Sequence, residues 1–249
     1  MDFSLEVSMP LCARAHAQQW PEIGFSDQAA SLLAQLLGIN LKQRLAPIAE
    51  RQLIQRSQWF DEVCRDFLHR HPKAMCIELG AGLSTRFHRL SSTADWPRFH
   101  WVDVDLPHVI VSKAAVLPVI DNYRLVSADI ANDDWLSLSG WVCSQPLLIL
   151  LEGVAPELKG DVLLKLIYRL QQSTSAAQEI EIVLDDAPIS PWQKWRKFLA
   201  FALGISSRQP ITSSLAALES NGFHIHQQKT LLGNTAVGVV INYKNREWI

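Results

Sequence analysis

The sequence predicts an α/β fold with a mostly parallel, doubly wound sheet, and three observations predict it. Short apolar runs alternate with helical patterns from residue 74 onward. The first run ends in a glycine pair, Gly80-Ala81-Gly82, where a strand turns into a helix. The 249 residues, 48% of them hydrophobic, are enough to bury one large core with extensions.

Residues 1–70 read as a helical N-terminal extension, and residues 71–249 as the core to which it belongs in one continuous domain. Leu32, Leu33, Leu36 and Leu37 sit at helical spacing after Ser26 and Asp27, either of which caps that helix, and Gly38 ends it. A second helix spans 49–69, with Leu53, Phe60, Val63, Phe67 and Leu68 on its apolar stripe, and His71-Pro72 breaks it. Strands follow at 74–79, 99–104, 123–127, 147–151 and 180–184. Helices are expected from about 84, over 106–116, over 156–172 and over 191–203, the last rich in Trp. Two final strands, 224–230 and 236–243, make seven and pair as a ladder at the sheet edge.

Composition excludes several classes. A net charge of -2 gives no nucleic-acid or polybasic membrane surface. No apolar run approaches the roughly 18–20 residues of a membrane span, and the N-terminus lacks a secretory signal pattern. Cys12, Cys64, Cys76 and Cys143 are scattered without C-x-x-C spacing, as free thiols in a cytoplasmic protein without a metal site would be.

In such sheets ligands bind outside the carboxyl ends of the strands, so the residues just after each strand carry the function. A dinucleotide fingerprint wants a third small residue in the glycine loop, but Thr85 stands there. Glu78, directly before the loop, would repel a pyrophosphate and suits a ligand with a cationic amine and a sulfonium. Asp103 and Asp105 end the second strand, where a carboxylate accepts the hydroxyls of a ribose or caps the next helix. Asp129-Ile130 offers an acid and an apolar neighbour for adenine, and Glu152-Gly153 closes the most apolar strand. An acid thus follows four strands in succession, an unfavourable cluster unless a ligand or cation meets it.

These residues resemble the leucine carboxyl methyltransferase superfamily, and within it the bacterial tetracenomycin-type polyketide O-methyltransferases. The likeness rests on Arg56, Phe60-Asp61, Glu78-Leu79-Gly80-Ala81-Gly82-Leu83-Ser84-Thr85-Arg86-Phe87-His88-Arg89-Leu90, Asp103-Val104-Asp105-Leu106-Pro107 and Leu150-Leu151-Glu152-Gly153. Pro10-Leu11-Cys12-Ala13-Arg14-Ala15 resembles that branch's N-terminal segment. The resemblance implies a Rossmann-like class I methyltransferase sheet, with S-adenosyl-L-methionine as cofactor and S-adenosyl-L-homocysteine as product. It assigns the methionine carboxylate to Arg56, with Arg14 in support. Gly80 falls to the methionine moiety, with Ala81 and Gly82 of the same loop also cofactor-binding, Asp105 to the ribose with Asp103 and Leu106 beside it, and Asp129 and Ile130 to adenine. Glu152-Gly153 falls near the methionine amine. The chain departs from the family in three ways: Ser84 replaces the usual Asp, Val154-Ala155-Pro156-Glu157 replaces an apolar pair and tyrosine, and the chain is short.

The implied activity is O-methylation of a carboxylate or hydroxyl on a small or carrier-bound metabolite, by a monomer or homodimer. A hydroxyl acceptor would be helped by a base, for which Asp185, Asp186 and His88 are the candidates, whereas His224 and His226 read as structural. Trp192 and Trp195, on one helix face, either wall an aromatic substrate or pack the core. A degenerate methyltransferase serving as a binding scaffold and a nicotinamide-dependent reductase are the competing readings.

Overall fold

The computed structural model describes residues 3–42, 45–91, 98–155, 179–185, 223–231 and 236–243, with single positions between 158 and 170. Seven strands, β1 (Met75–Leu79), β2 (His100–Asp105), β3 (Tyr123–Ser127), β4 (Leu147–Leu151), β5 (Ile180–Asp185), β6 (Phe223–Leu231) and β7 (Ala236–Tyr243), form one sheet in the order β3-β2-β1-β4-β5-β7-β6. The first five are parallel and β7 runs antiparallel between β5 and β6. The strand order reverses between β1 and β4, which opens a crevice at their carboxyl ends.

The pleat sends alternate residues to opposite faces. Met75, Ile77 and Leu79 join Val102, Val104, Ile149 and Leu151 in the core on one face, where Trp135 of α6 (Trp135–Ser139) also packs. Cys76, Trp101, Leu148 and Leu150 face the other way, onto Trp59, Phe60, Val63, Cys64 and Phe67 of α3 (Pro47–Arg70). Glu78 and Asp103 share the parity of Cys76 and Trp101 and are register partners, so both end their strands on the α3 side.

The N-terminal extension is helical, with α1 (Leu5–Ala15) and α2 (Gln28–Leu36) preceding α3. Asp27 caps α2 through Ala30 N–H at 2.9 Å, and only half the expected leucine stripe is inside: Leu33 is buried while Leu32 and Leu36 are exposed. The helix expected from residue 84 is the single turn and a half of α4 (Arg86–Ser91), and α5 (Pro107–Ala114) follows β2. Of the helix expected over 156–172, Val162, Lys165, Leu166 and residues 168–170 are helical and Leu158 is a bend, and its other residues lie outside the described ones. The Trp-rich segment 191–203, with Trp192 and Trp195, lies outside the described residues, as does Asp186. Among the described residues no helix is long and apolar enough to cross a membrane, and no group of metal-ligating side chains forms.

Candidate active site

A cavity of about 340 Å³ opens at the carboxyl ends of β1, β2, β3 and β4, with α1 closing one side. Each strand delivers its terminal residues to it: Glu78, Gly80, Ala81 and Gly82 after β1, Asp105 and Leu106 after β2, Asp129 and Ile130 after β3, Glu152 and Gly153 after β4. Arg14 of α1 and Arg56 of α3 line it as well.

The glycine loop fits tightly against the turn after β4. Gly80 has φ +63°, and a Cβ there would stand 2.5 Å from Val154 Cγ2, so both backbone conformation and space exclude a side chain. Gly153, at φ +72°, donates its N–H to buried Asp185 at 2.6 Å. Asp105 accepts from Gly82 N–H at 2.6 Å and from Leu106 N–H at 2.7 Å, tying the β2 end to the loop. Burial pushes the Asp105 carboxyl up, against the pull of those two N–H groups.

Beneath the loop lies a dense set of charges. Arg86 projects inward from α4 and is 1% exposed. Its Nη1 donates to Glu78 Oε1, its Nη2 to Glu152 Oε2, and its Nε to Asp61 Oδ1 at 2.8 Å. Glu152 Oε1 also accepts from Ser57 Oγ at 2.8 Å and Arg56 Nε at 3.1 Å. Burial alone would raise Glu152, but Arg86, Arg56 and Arg14 outweigh it and hold that carboxyl well below its usual range. At Glu78 burial wins: with Asp103 and Glu152 adding repulsion and Arg86 opposing, its carboxyl is pushed up to about 7. Glu78 and Glu152 therefore do not wait for a ligand to be neutralised, because the chain brings its own arginines, whereas Asp105 meets only backbone N–H groups and Asp129 meets Ala131 N–H and Asn132 Nδ2.

Arg56 is 2% exposed, yet its Nη1 has no hydrogen-bond partner among the described residues, and Asp185 Oδ2 lies 3.7 Å away. A buried guanidinium N–H left open at a cavity wall is expensive unless an anion meets it. Arg14 is fixed by donating Nη2 to Leu83 O at 2.8 Å and Nε to Asp27 Oδ2 at 3.2 Å. Asp27 in turn accepts from Thr85 Oγ1 at 2.6 Å and Arg89 Nη1 at 2.5 Å, so the N-terminal helices are pinned to α4. Thr85, too large for a dinucleotide loop, is thereby used as a tie. Ser84, where the resemblance expects Asp, donates Oγ to Glu78 Oε2 at 2.9 Å. An aspartate there would set a second acid against Glu78.

Three expected residues fall elsewhere. Asp103 does not line the cavity: its oxygens take Lys113 Nζ at 2.5 Å, Tyr123 OH at 2.5 Å and Trp101 Nε1 at 2.9 Å. His88 lies among Phe87 and Tyr123, away from the cavity lining, and burial lowers its pKa. Asp185 sits behind Gly153 rather than in the cavity, and Asp186 is not described. Conversely, sequence reasoning gave no role to Arg86, Asp61, Ser57 or Lys113. The signal was present, since buried carboxylates such as Glu78, Asp103 and Glu152 require cations nearby.

Comparison with known proteins agrees with this geometry. The model of the family described as leucine carboxyl methyltransferase matches residues 6–171. Tetracenomycin polyketide synthesis O-methyltransferase TcmP of Streptomyces glaucescens is 30% identical over 164 residues, 64% of this chain and 58% of that protein. The S-adenosyl-L-methionine-dependent methyltransferase dpfgK of Gibberella zeae is 32% identical over 120 residues, 46% of this chain and 40% of its own length. The chain thus spans about half the length of the curated relatives it matches. Among solved structures, a candidate methyltransferase from Thermobifida fusca superposes over 94% of both chains with a TM-score of 0.57 at 16% identity. Magnesium protoporphyrin IX methyltransferase from Synechocystis PCC 6803, solved with S-adenosylhomocysteine bound, gives a TM-score of 0.54 at 11% identity over 93% of this chain and 98% of that one. At such identities the structural likeness shows the class I methyltransferase fold.

Proposed function

The chain belongs to the leucine carboxyl methyltransferase family of S-adenosylmethionine-dependent methyltransferases, and from that premise we propose that it methylates an oxygen, carboxylate or hydroxyl, of a small organic acceptor. One observation carries the reading: a single cavity holds an open arginine N–H at one wall and carboxylates at the ends of successive strands. That order of charges matches an amino acid joined to a nucleoside.

Arg56, helped by Arg14, would hold the methionine carboxylate, since its buried Nη1 lacks any other hydrogen-bond partner among the described residues. Glu152 and Glu78 would face the amine and Gly80 the adjoining backbone space. Asp105 keeps acceptor capacity for ribose hydroxyls, because an ionised carboxylate takes more than the two N–H bonds it already accepts. Leu106, Ala128 and Ile130 form an apolar slot for a flat ring beside Asp129. When bound, the cofactor supplies an electrophilic methyl group on a sulfonium. The chain's part is to bind, orient and exclude water, which is where methyl transfer gains its rate. The description of TcmP as an O-methyltransferase supports oxygen as the acceptor atom.

Titration calorimetry with S-adenosylhomocysteine tests the cofactor reading: micromolar binding is expected, and none at high micromolar ligand would overturn it. Incubation with the radiolabelled methyl donor and a panel of small acids and phenols tests the acceptor. Label in base-labile esters marks a carboxylate acceptor, base-stable label a hydroxyl one, and no oxygen-bound label with any member of the panel counts against the reading.

A further inference from the structure

The resemblance places Arg86 in a recognisable motif but gives it no task, and the fold gives it a specific one. It is buried, it donates to three carboxylates, and two of them, Glu78 and Glu152, line the cavity while the third, Asp61, anchors it from behind. Asp61 is itself held by Arg89, through Nε to Oδ2 at 2.8 Å and Nη2 to Oδ1 at 2.9 Å. Arg86 therefore cannot swing out of place without breaking a network that spans α3, α4, β1 and β4.

We infer that Arg86 is a positioning residue for the cofactor's amine, bridging Glu78 and Glu152 so that both can ionise together on the cavity wall and meet an ammonium group there. The inference rests on the cofactor reading above and goes further by naming what sets the charge of the site. Without Arg86, two buried acids would share one wall, and like charges at that range cannot both stay ionised. Glu78 would take the proton, because Glu152 keeps Arg56 and Ser57 as donors.

The other groups around Glu78 do not substitute for Arg86. From α3 it faces the Cys64 thiol, with the Cys76 thiol below it on β1; Glu152 follows β4, β2 brings Asp103, α5 brings Lys113, and β3 brings Tyr123. Arg56 is bonded to Glu152 and Arg14 to Leu83 O and Asp27. Lys113 is committed to Asp103 and Ser84 O. Glu78 sits near neutrality even with Arg86 in place, at about 7, so the bridge is what keeps it within reach of ionisation.

The test is calorimetric affinity for S-adenosylhomocysteine between pH 5.5 and 8.5 in the wild-type chain, R86M and E78Q. In the wild type, affinity is expected to fall by about tenfold per pH unit on the acid side of Glu78, the slope of one linked proton. In E78Q that slope disappears. In R86M the break moves up by more than one pH unit, so its affinity relative to wild type is lowest on the acid side, by about tenfold or more, and recovers toward pH 8.5. Purely structural damage would not recover with pH. R86M with the wild-type profile, or E78Q that keeps the slope, overturns the inference, and E78Q alone decides it where R86M does not fold. Wild-type binding with a flat profile sinks this inference only, whereas no binding at any pH sinks the cofactor reading.

Discussion

Glu78 and Asp103 are register partners on adjacent strands, both buried, both on the α3 side of the sheet, and yet they belong to different kinds of charge cluster. Asp103 is closed in: Lys113, Tyr123 and Trp101 donate to it, and Lys113 ties the set to Ser84 O in the glycine loop. Burial and the neighbouring Asp103 hold the Tyr123 hydroxyl well above its usual pKa, so it stays a donor. The cluster around Glu78 is open. It faces the cavity, its acid sits near neutrality, and Arg56 beside it keeps an N–H unused. The difference teaches that burial of charge marks scaffold when every group is partnered, and marks a site when one is left over.

The largest expected effect breaks the closed cluster. K113M leaves Asp103 buried with only neutral donors, and losing one partner of a buried pair costs about 3–5 kcal/mol. Denaturant unfolding should show that loss, and K113M/D103N should recover much of it by removing the stranded charge. Wild-type stability in K113M would show that Asp103 is not held as the geometry indicates.

Next comes the open cluster. R56M should weaken S-adenosylhomocysteine binding by about 2–3 kcal/mol, the worth of a charged hydrogen-bonded pair. Its stability should fall less than that of K113M, because Glu152 keeps Arg86 and Ser57. Stability loss without affinity loss would reverse the comparison. G80A follows: a side chain at φ +63° and a Cβ at 2.5 Å from Val154 Cγ2 should lower affinity by about 1–3 kcal/mol of strain. G80A/V154A should restore part of it by removing the clash while leaving the backbone cost.

The strands were legible because apolar runs bounded by turn residues have few alternatives. β3, β4 and β7 fall on the expected residues, and the other strands differ by a residue or so. The acids at the strand ends were legible too, since a carboxylate closing Leu147-Leu148-Ile149-Leu150-Leu151 has no apolar reason to be there. The cations beyond Arg56 and Arg14, which the resemblance supplied, were not. Arg86 and Arg89 sit on a six-residue helix, too short for any periodicity to say which way they point. Lys113 lies in the last turn of α5, where a lysine ordinarily faces water and the helix dipole. Asp103 was misplaced for the same reason, because its partner Lys113, ten residues on in α5, could not be seen in a linear pattern. His88 looked available for catalysis because it follows the glycine loop, but α4 turns it toward Phe87 and Tyr123 instead.

His88 supplies the smallest and sharpest comparison. It belongs to neither cluster, its Nε2 is buried without a hydrogen-bond partner among the described residues, and burial lowers its pKa from the ordinary histidine value. A histidine whose folded pKa is depressed binds its proton more readily when unfolded. It therefore takes stability away as pH falls from about 6.5 toward the folded value, and takes none above that window. H88F keeps the ring contacts with Phe87 and Tyr123 while removing the stranded nitrogen. It should leave cofactor affinity and any methyl transfer unchanged, change stability at pH 8 by about 1 kcal/mol or less, and flatten the acid limb of a melting-temperature profile between pH 7 and 5. A large loss of turnover in H88F with stability intact would instead make His88 part of the chemistry, and would mean that a group outside the cavity lining reaches the acceptor.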